Sequence, residues 1–208
     1  MTPHAPRDRS NPPPGSLVLL RHGETEWSLS GQHTGLTDVP LTENGERLAR
    51  RTAELLGGRT FAHAFTSPLQ RARCTAELAG FADAEVDPDL IEWDYGGYEG
   101  RTTKEIRAEL GRPWTVWDDG VIPGDTPGET VESVAARTRR VIDRAIPYLT
   151  HGDVALIGHG HCLRVLASVF LRQEPRFGAQ LKLTAGSVSV LGFEHESPAI
   201  EAWNGTQA

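Results

Sequence analysis

Lysine is nearly missing from this chain. Lys104 and Lys182 are the only two in 208 residues, so arginine supplies the other 19 of the 21 bases. These bases fall short of the 28 acidic residues and leave a formal charge of −7. Without a broad basic field, the chain is not built to take nucleic acid or an anionic membrane surface as its main partner. This excludes a bulk field, not a local basic cluster. Two cysteines, Cys74 and Cys162, are too few for a disulfide framework and leave the redox compartment open. No apolar run approaches the roughly 20 residues of a transmembrane helix. The first 16 residues hold five prolines (Pro3, Pro6, Pro12, Pro13, Pro14) and no apolar h-region, so they read as a disordered tail rather than a signal peptide. The cytoplasm is then the default compartment. Internal repeats and a convincing linker are also lacking, so residues 17–208 are expected to form a single domain.

What is present is globular, with 38% hydrophobic and 24% charged residues. Leu17 to Leu20 and Val154 to Ile157 are short apolar runs of buried-strand type, and Phe61 to Thr66 reads as a further strand. Thr42 caps an expected helix to about Leu56, stopped by Gly57-Gly58. Ser67-Pro68 has the form of an N-cap followed by proline at the first helical position, opening a helix to about Leu78. Thr102 and Glu105 match a capping box. Residues 93–128, rich in glycine, proline and aromatics, are expected to form an ordered cap excursion. Helical spacing from about Glu129 to Leu149 predicts a long helix, another should run from His161 to about Leu171, and late strands are expected at 187–193 and 200–203. Strands alternating with helices predict an α/β three-layer sandwich with a mainly parallel central sheet. Such sheets bind ligands at the carboxyl ends of their strands, which is where Arg21-His22-Gly23, Arg71 and His159 fall.

Two arginines, two histidines and a glutamate can perform phosphoryl transfer. Paired guanidiniums suit a multi-oxygen dianion, and Arg71 lies in a helix first turn that favours anions. A neutral imidazole can attack phosphorus, a second histidine can stabilise the transferring group, and a carboxylic acid can protonate the leaving alkoxide. The same residue types leave a zinc hydrolase open, since His159 and His161 with His22 and Glu92 are possible metal ligands. Against it, Arg21 and Arg71 would repel a dication. A binding or scaffold protein of this fold would be expected to lack His22 or Glu92, and both are present.

The stretch Leu20-Arg21-His22-Gly23-Glu24-Thr25-Glu26-Trp27 closely resembles the signature of the histidine phosphatase superfamily, phosphoglycerate mutase-like branch. Matches continue in family order at residues 34–42, 66–72, Leu90-Ile91-Glu92 leading to Tyr98-Glu99-Gly100, and Gly158-His159-Gly160, covering roughly residues 17 to 193. The resemblance implies a phosphoglycerate mutase-like fold and His22 as the phosphorylated nucleophile. It implies that Arg21, Arg71 and His159 complete the phosphate pocket and that Glu92 is proton donor and later base. Thr34 and Gly35 align with substrate contacts, and no metal or other cofactor is implied.

Two departures from the family pattern carry information. Ser28 stands where many members have asparagine, so its hydroxyl is expected to replace an amide donor. Mutases of this kind carry an arginine pair after a tryptophan in the excursion. Here Trp117-Asp118-Asp119 stands in that place, and Thr103, with Lys104 adjacent, stands for the mutase lysine. Carboxylates there reverse the field that would hold a second anion, so phosphatase is preferred and mutase is the alternative. The blocks around Glu92-Trp93-Asp94-Tyr95-Gly96 and Gly158-His159-Gly160-His161 look most like sugar-bisphosphatase and bacterial acid-phosphatase members. Tyr95, Arg101, Lys104, Trp117, His161 and Arg164 are candidates for the leaving-group side, and Trp93 for desolvating Glu92. His33, His63, Cys74, Cys162 and Trp114 are read as structural residues. Glu129 is expected to start the long helix or to orient pocket arginines. The expected partner is a small phosphorylated metabolite of the sugar phosphate class, and a homodimer is compatible with the sequence.

Overall fold

The apolar run at Leu17–Arg21 (β1) lies inside a six-stranded sheet built with Phe61–Thr66 (β2), Glu85–Val86 (β3), Asp153–Gly158 (β4), Val188–Glu194 (β5) and Ser197–Gly205 (β6). The order is β3-β2-β4-β1-β5-β6. The first four strands run parallel, whereas β5 is antiparallel to β1 and β6 to β5. The computed structural model describes residues 12–206. Of the tail expected at 1–16, residues 1–11 lie outside the described residues. Gly15 and Ser16 instead join the fold: Gly15 N donates to Leu149 O at 3.0 Å and Ser16 N to Asp153 Oδ1 at 2.8 Å.

Strand alternation divides the interior in two. Leu17 and Leu19 share one apolar cluster with Val154 and Leu156 of β4 and with Val134, Val141, Leu163 and Leu166. These last four lie on helices Val131–Ala145 (α6) and Gly160–Phe170 (α7). Val18 and Leu20 join Ala155, Ile157, Ala72 and Ala76 on the other face, where Glu43–Leu55 (α2) packs against Gln70–Leu78 (α3). All four β1 leucine and valine side chains are fully buried, each stabilising the fold by about 1.5–3 kcal/mol. A buried parallel ladder of this kind explains why the strand sequence shows a continuous apolar run rather than alternation.

Three boundaries differ from expectation for local reasons. The helix expected at Ser67-Pro68 begins at Gln70; the Ser67 hydroxyl lies 2.7 Å from His159 Nε2 and accepts from Leu69 N at 3.4 Å, before the helix starts. The carboxylate of Asp38 accepts from Gln70 N at 2.8 Å and caps α3 from another loop. The long helix expected at 129–149 divides into α6, capped by Thr130, and a tighter 3₁₀ turn at Ile146–Thr150. Pro147 has no N–H to continue the α-helical ladder. A five-residue helix at Glu26–Ser30 (α1), not anticipated, is held by a capping box between Thr25 and Ser28. The excursion contributes Thr103–Leu110 (α4), with the expected Thr102–Glu105 box, and the short Val116–Asp119 (α5).

Candidate active site

β1 and β4 end side by side, with Arg21 paired to Gly158, so the turns following them converge. The cleft at this edge is lined by Arg21, His22, Ser28, Thr34, Glu92, Tyr95, His161 and Arg164, among others. His22 is 4% exposed, and its Nδ1 lies 2.7 Å from Gly23 O. A carbonyl only accepts, so Nδ1 carries the proton and Nε2 keeps its lone pair. Gly23 is required for this geometry: a Cβ there would stand 2.2 Å from Gly45 O. Its own N–H donates to Thr75 Oγ1 at 3.1 Å. Burial, and then the charges of Arg21 and Arg71, hold the His22 pKa well below the usual imidazole value.

Arg21 donates to Leu183 O through Nη1, while its buried Nε has no partner. A buried donor without an acceptor costs free energy, and in this cleft it suits an incoming oxyanion. Gly160 gives the guanidinium room, since a Cβ there would lie 3.3 Å from Arg21 Cζ. The Glu92 carboxylate accepts three backbone N–H groups: Trp93 N at 2.9 Å, His161 N at 3.0 Å and Cys162 N at 2.8 Å. Two of these are orphan donors of the first turn of α7, which the carboxylate caps. The Trp93 indole N–H is not bonded to Glu92. It donates to Glu129 O at 2.9 Å and meets Trp117 and His161 edge-on.

Arg71 and His159 are fully buried and do not line the cleft. His159 lies directly behind His22, with ring centroids 5.1 Å apart. Arg71 Nε donates to His159 Nδ1 at 3.2 Å, so the His159 proton sits on Nε2 and reaches Ser67 Oγ at 2.7 Å. The other Arg71 donors hold the 34–37 loop: Nη1 reaches Thr37 O at 2.8 Å, and Nη2 reaches Thr34 O at 3.2 Å and Gly35 O at 2.9 Å. Most of the Arg71 fork therefore anchors the 34–37 loop, where the expectation had placed the residue in the phosphate pocket.

The leaving-group side is corrected in more places. Tyr95 and His161 are present and bonded to each other, Oη to Nδ1 at 2.6 Å. Burial, followed by the charge of Arg164, keeps His161 well below the usual imidazole pKa. Thr34 lines the cleft, whereas Gly35 is buried, with its N–H bound to the Glu99 carboxylate at 2.9 and 3.0 Å. Ser28 lines the cleft, but its hydroxyl donates to Thr25 O and accepts from Thr25 N, both at 2.9 Å. Its one proton closes the α1 cap and does not replace an amide donor. Arg101 pairs with Glu109 on the surface, and Lys104 is exposed; neither lines the cleft. Asp118 and Asp119 also face away from it, held by the Thr115 hydroxyl and N–H and by Arg112. They exert no direct reversal of field at the cleft, where only Trp117 of that triplet touches His161.

His33, read as structural, is a site residue: it lines the cleft and packs on Tyr95 at 4.8 Å between ring centroids. Its place immediately before Thr34-Gly35 was the available signal. Gln32 also lines the cleft, and Arg164 is held there over the Trp117 ring at 4.7 Å. Among the described residues no group of three His, Cys, Asp or Glu side chains is arranged to hold a metal ion, and no helix is long and apolar enough to cross a membrane.

Four histidines, His22, His33, His159 and His161, share a lowered pKa caused first by burial, with His33 pushed down to about 4. Below about pH 6.5 the unfolded chain takes up protons that the folded chain refuses, so folding stability falls as pH drops from about 6.5 towards 4. His33 alone contributes a loss on the order of 3 kcal/mol across that window. Urea unfolding at pH 7, 5.5 and 4.5 checks this; a midpoint that does not move would contradict it.

The comparisons with known proteins agree with this geometry. The family model of the histidine phosphatase superfamily (branch 1) matches residues 17–206. The chain is 38% identical over 181 residues to an acid phosphatase of Mycobacterium tuberculosis, covering 86% of this chain and 87% of that one. It is 39% identical over 183 residues to a sedoheptulose 1,7-bisphosphatase of Saccharomyces cerevisiae, covering 74% of this chain and 66% of that one. A solved structure of an open reading frame product of Mycobacterium tuberculosis superposes with a TM-score of 0.85 at 35% identity, covering 92% of this chain and 98% of that one. The chain therefore belongs to the histidine phosphatase superfamily, branch 1, and is a phosphatase working through a phosphohistidine.

Proposed function

We propose that His22 Nε2 is the nucleophile that carries the phosphoryl group and that Glu92 moves the proton. The observation that supports this most is the commitment of His22 Nδ1–H to Gly23 O, which leaves Nε2 as the basic nitrogen in a cleft shared with Arg21 and Glu92. In the first step Nε2 attacks phosphorus, the bond to the leaving oxygen breaks, and the Glu92 carboxyl group gives that oxygen its proton. The phosphorylated ring keeps Nδ1–H on Gly23 O, which stabilises the positive charge the ring acquires. In the second step the Glu92 carboxylate takes a proton from water, whose oxygen attacks phosphorus and breaks the P–N bond. Inorganic phosphate leaves and both residues are restored. Arg21, with its unpartnered Nε, would compensate the phosphoryl oxygens, while Arg71 and His159 brace His22 and the 34–37 loop from behind.

The substrate we propose is a small sugar phosphate in the cytoplasm. The leaving-group side offers neutral hydrogen-bonding groups from Gln32, His33, Thr34, Tyr95 and His161, which suit hydroxyls, with Arg164 for a second anion. The names of the acid phosphatase and bisphosphatase relatives support the same class. Mutase activity is the second reading. It is disfavoured because the arginine pair that mutases of this kind carry is replaced by Asp118 and Asp119, and among the described residues Arg164 is the one cation on the leaving-group side. Inorganic phosphate release and phosphoglycerate interconversion, assayed side by side, are expected to favour release. Interconversion faster than release would overturn the hydrolase reading.

A further inference from the structure

The geometry points to Arg137 as the positioning residue for Glu92, a role that rests on reading Glu92 as the proton donor. Arg137 sits on α6, is 7% exposed, and does not line the cleft. Three of its five N–H donors go to one short segment. Nη1 donates to Asp89 O at 2.8 Å and Ile91 O at 2.6 Å, and Nη2 to Glu92 O at 3.1 Å. These three carbonyls fall within four residues that follow the two-residue strand β3 and have no sheet ladder of their own. Backbone acceptors in a buried segment need partners, and here one planar fork supplies them.

The grip extends to both sides of Glu92. Arg137 Nε donates to Glu129 Oε1 at 2.9 Å and Nη2 to Glu129 Oε2 at 3.0 Å. Glu129 Oε2 in turn accepts Asp94 N at 3.0 Å, and Glu129 O accepts the Trp93 indole at 2.9 Å. Residues 89–91 are thus held by Arg137 and residues 93–94 by its carboxylate partner, with Glu92 between them. The far end of Glu92 caps α7 through His161 N and Cys162 N. Arg137 Nη1 reaches this turn too, at 3.4 Å from Cys162 Sγ. One guanidinium therefore sets the distance between the backbone that carries the carboxylate and the helix end that receives it.

A buried Arg–Glu pair is seldom more stabilising than apolar residues of the same volume, so stability alone does not account for this arrangement. A proton donor, in contrast, must sit within hydrogen-bond reach of its oxygen, and a displacement of about 1 Å costs about a hundredfold in rate. What Arg137 supplies is position.

The test uses the dependence on the leaving group. An alkyl phosphate such as glycerol phosphate needs its alkoxide protonated, whereas p-nitrophenyl phosphate expels a phenolate that needs no proton. Two variants are compared by kcat/KM with the full-length protein. Arg137→Lys keeps the charge opposite Glu129 but loses the fork. The double variant Arg137→Met with Glu129→Met removes the pair together and so avoids a lone buried charge. Glu92→Gln is the reference, with an expected loss of about 10²–10⁴-fold on glycerol phosphate and far less on p-nitrophenyl phosphate. Both Arg137 variants are expected to lose at least about tenfold more on glycerol phosphate than on p-nitrophenyl phosphate. Equal losses on the two substrates would mean a purely structural Arg137 and overturn the proposal, leaving Glu92 in its role. A Glu92→Gln protein that does not discriminate between the substrates would overturn the reading of Glu92, and the proposal with it.

Discussion

A His22→Ala protein is expected to release inorganic phosphate at least about 10⁴-fold more slowly than the wild type and to trap no acid-labile phosphoenzyme. The size follows from the chemistry lost. Without Nε2 the two-step route closes, and water must displace the leaving group directly from a cleft whose only remaining assets are Arg21, Glu92 and the groups behind them. The variant should fold, because alanine removes a neutral ring and leaves Gly23 O close to a cleft that water can enter. Rapid acid quench with ³²P-labelled substrate reads the phosphoenzyme, and circular dichroism reads the fold. A folded His22→Ala protein that still accumulates acid-labile phosphate would move the nucleophile elsewhere, with His159 and His161 the next rings to test.

Arg71→Met is expected to damage stability and activity together. The lost guanidinium leaves Thr34 O, Gly35 O, Thr37 O and His159 Nδ1 without their donor. Four lost hydrogen bonds would cost more, but removing a buried cation returns part of that. Burial already lowers the Arg71 pKa from its ordinary value. The net loss is about 2–4 kcal/mol, or roughly 4–16 °C in Tm for a chain of this length. Activity is expected to fall about 10²–10³-fold, because the loop carrying Thr34 loosens and the partner of His159 is removed. A calorimetric scan beside a phosphate-release assay separates the two effects. A variant with unchanged Tm and lost activity would make Arg71 purely a ligand of phosphate and refute its anchoring of the loop.

Arg71 also shows where sequence reading stops. Its position in a helix first turn was legible and correct, yet its donors were assigned to phosphate when most go to carbonyls 34 residues or more away in the chain. Asp118 and Asp119 repeat the lesson: their charge was plain in the sequence, but α5 turns them towards Thr115 and Arg112 instead of the cleft. His33 was passed over because a lone histidine carries no pattern, although Tyr95 and His161 close around it. Ser67 looked like a cap because serine before proline usually is one, and its hydroxyl also meets His159, 92 positions away.

The sequence by itself determined the alternation of strands and helices and the caps at Thr42 and Thr102, because periodicity and capping depend on neighbours a few positions apart; the residues expected around His22 came from the family resemblance of its motifs. Only the tertiary structure decided which donor meets which acceptor: the two roles of Arg71, the closed hydroxyl of Ser28, the outward turn of Asp118 and Asp119, and the hold of Arg137 on residues 89–92. A side chain's type limits what it can bind, but its partner is chosen by segments far along the chain, and a buried fork donates to whatever acceptors the fold brings within about 3 Å.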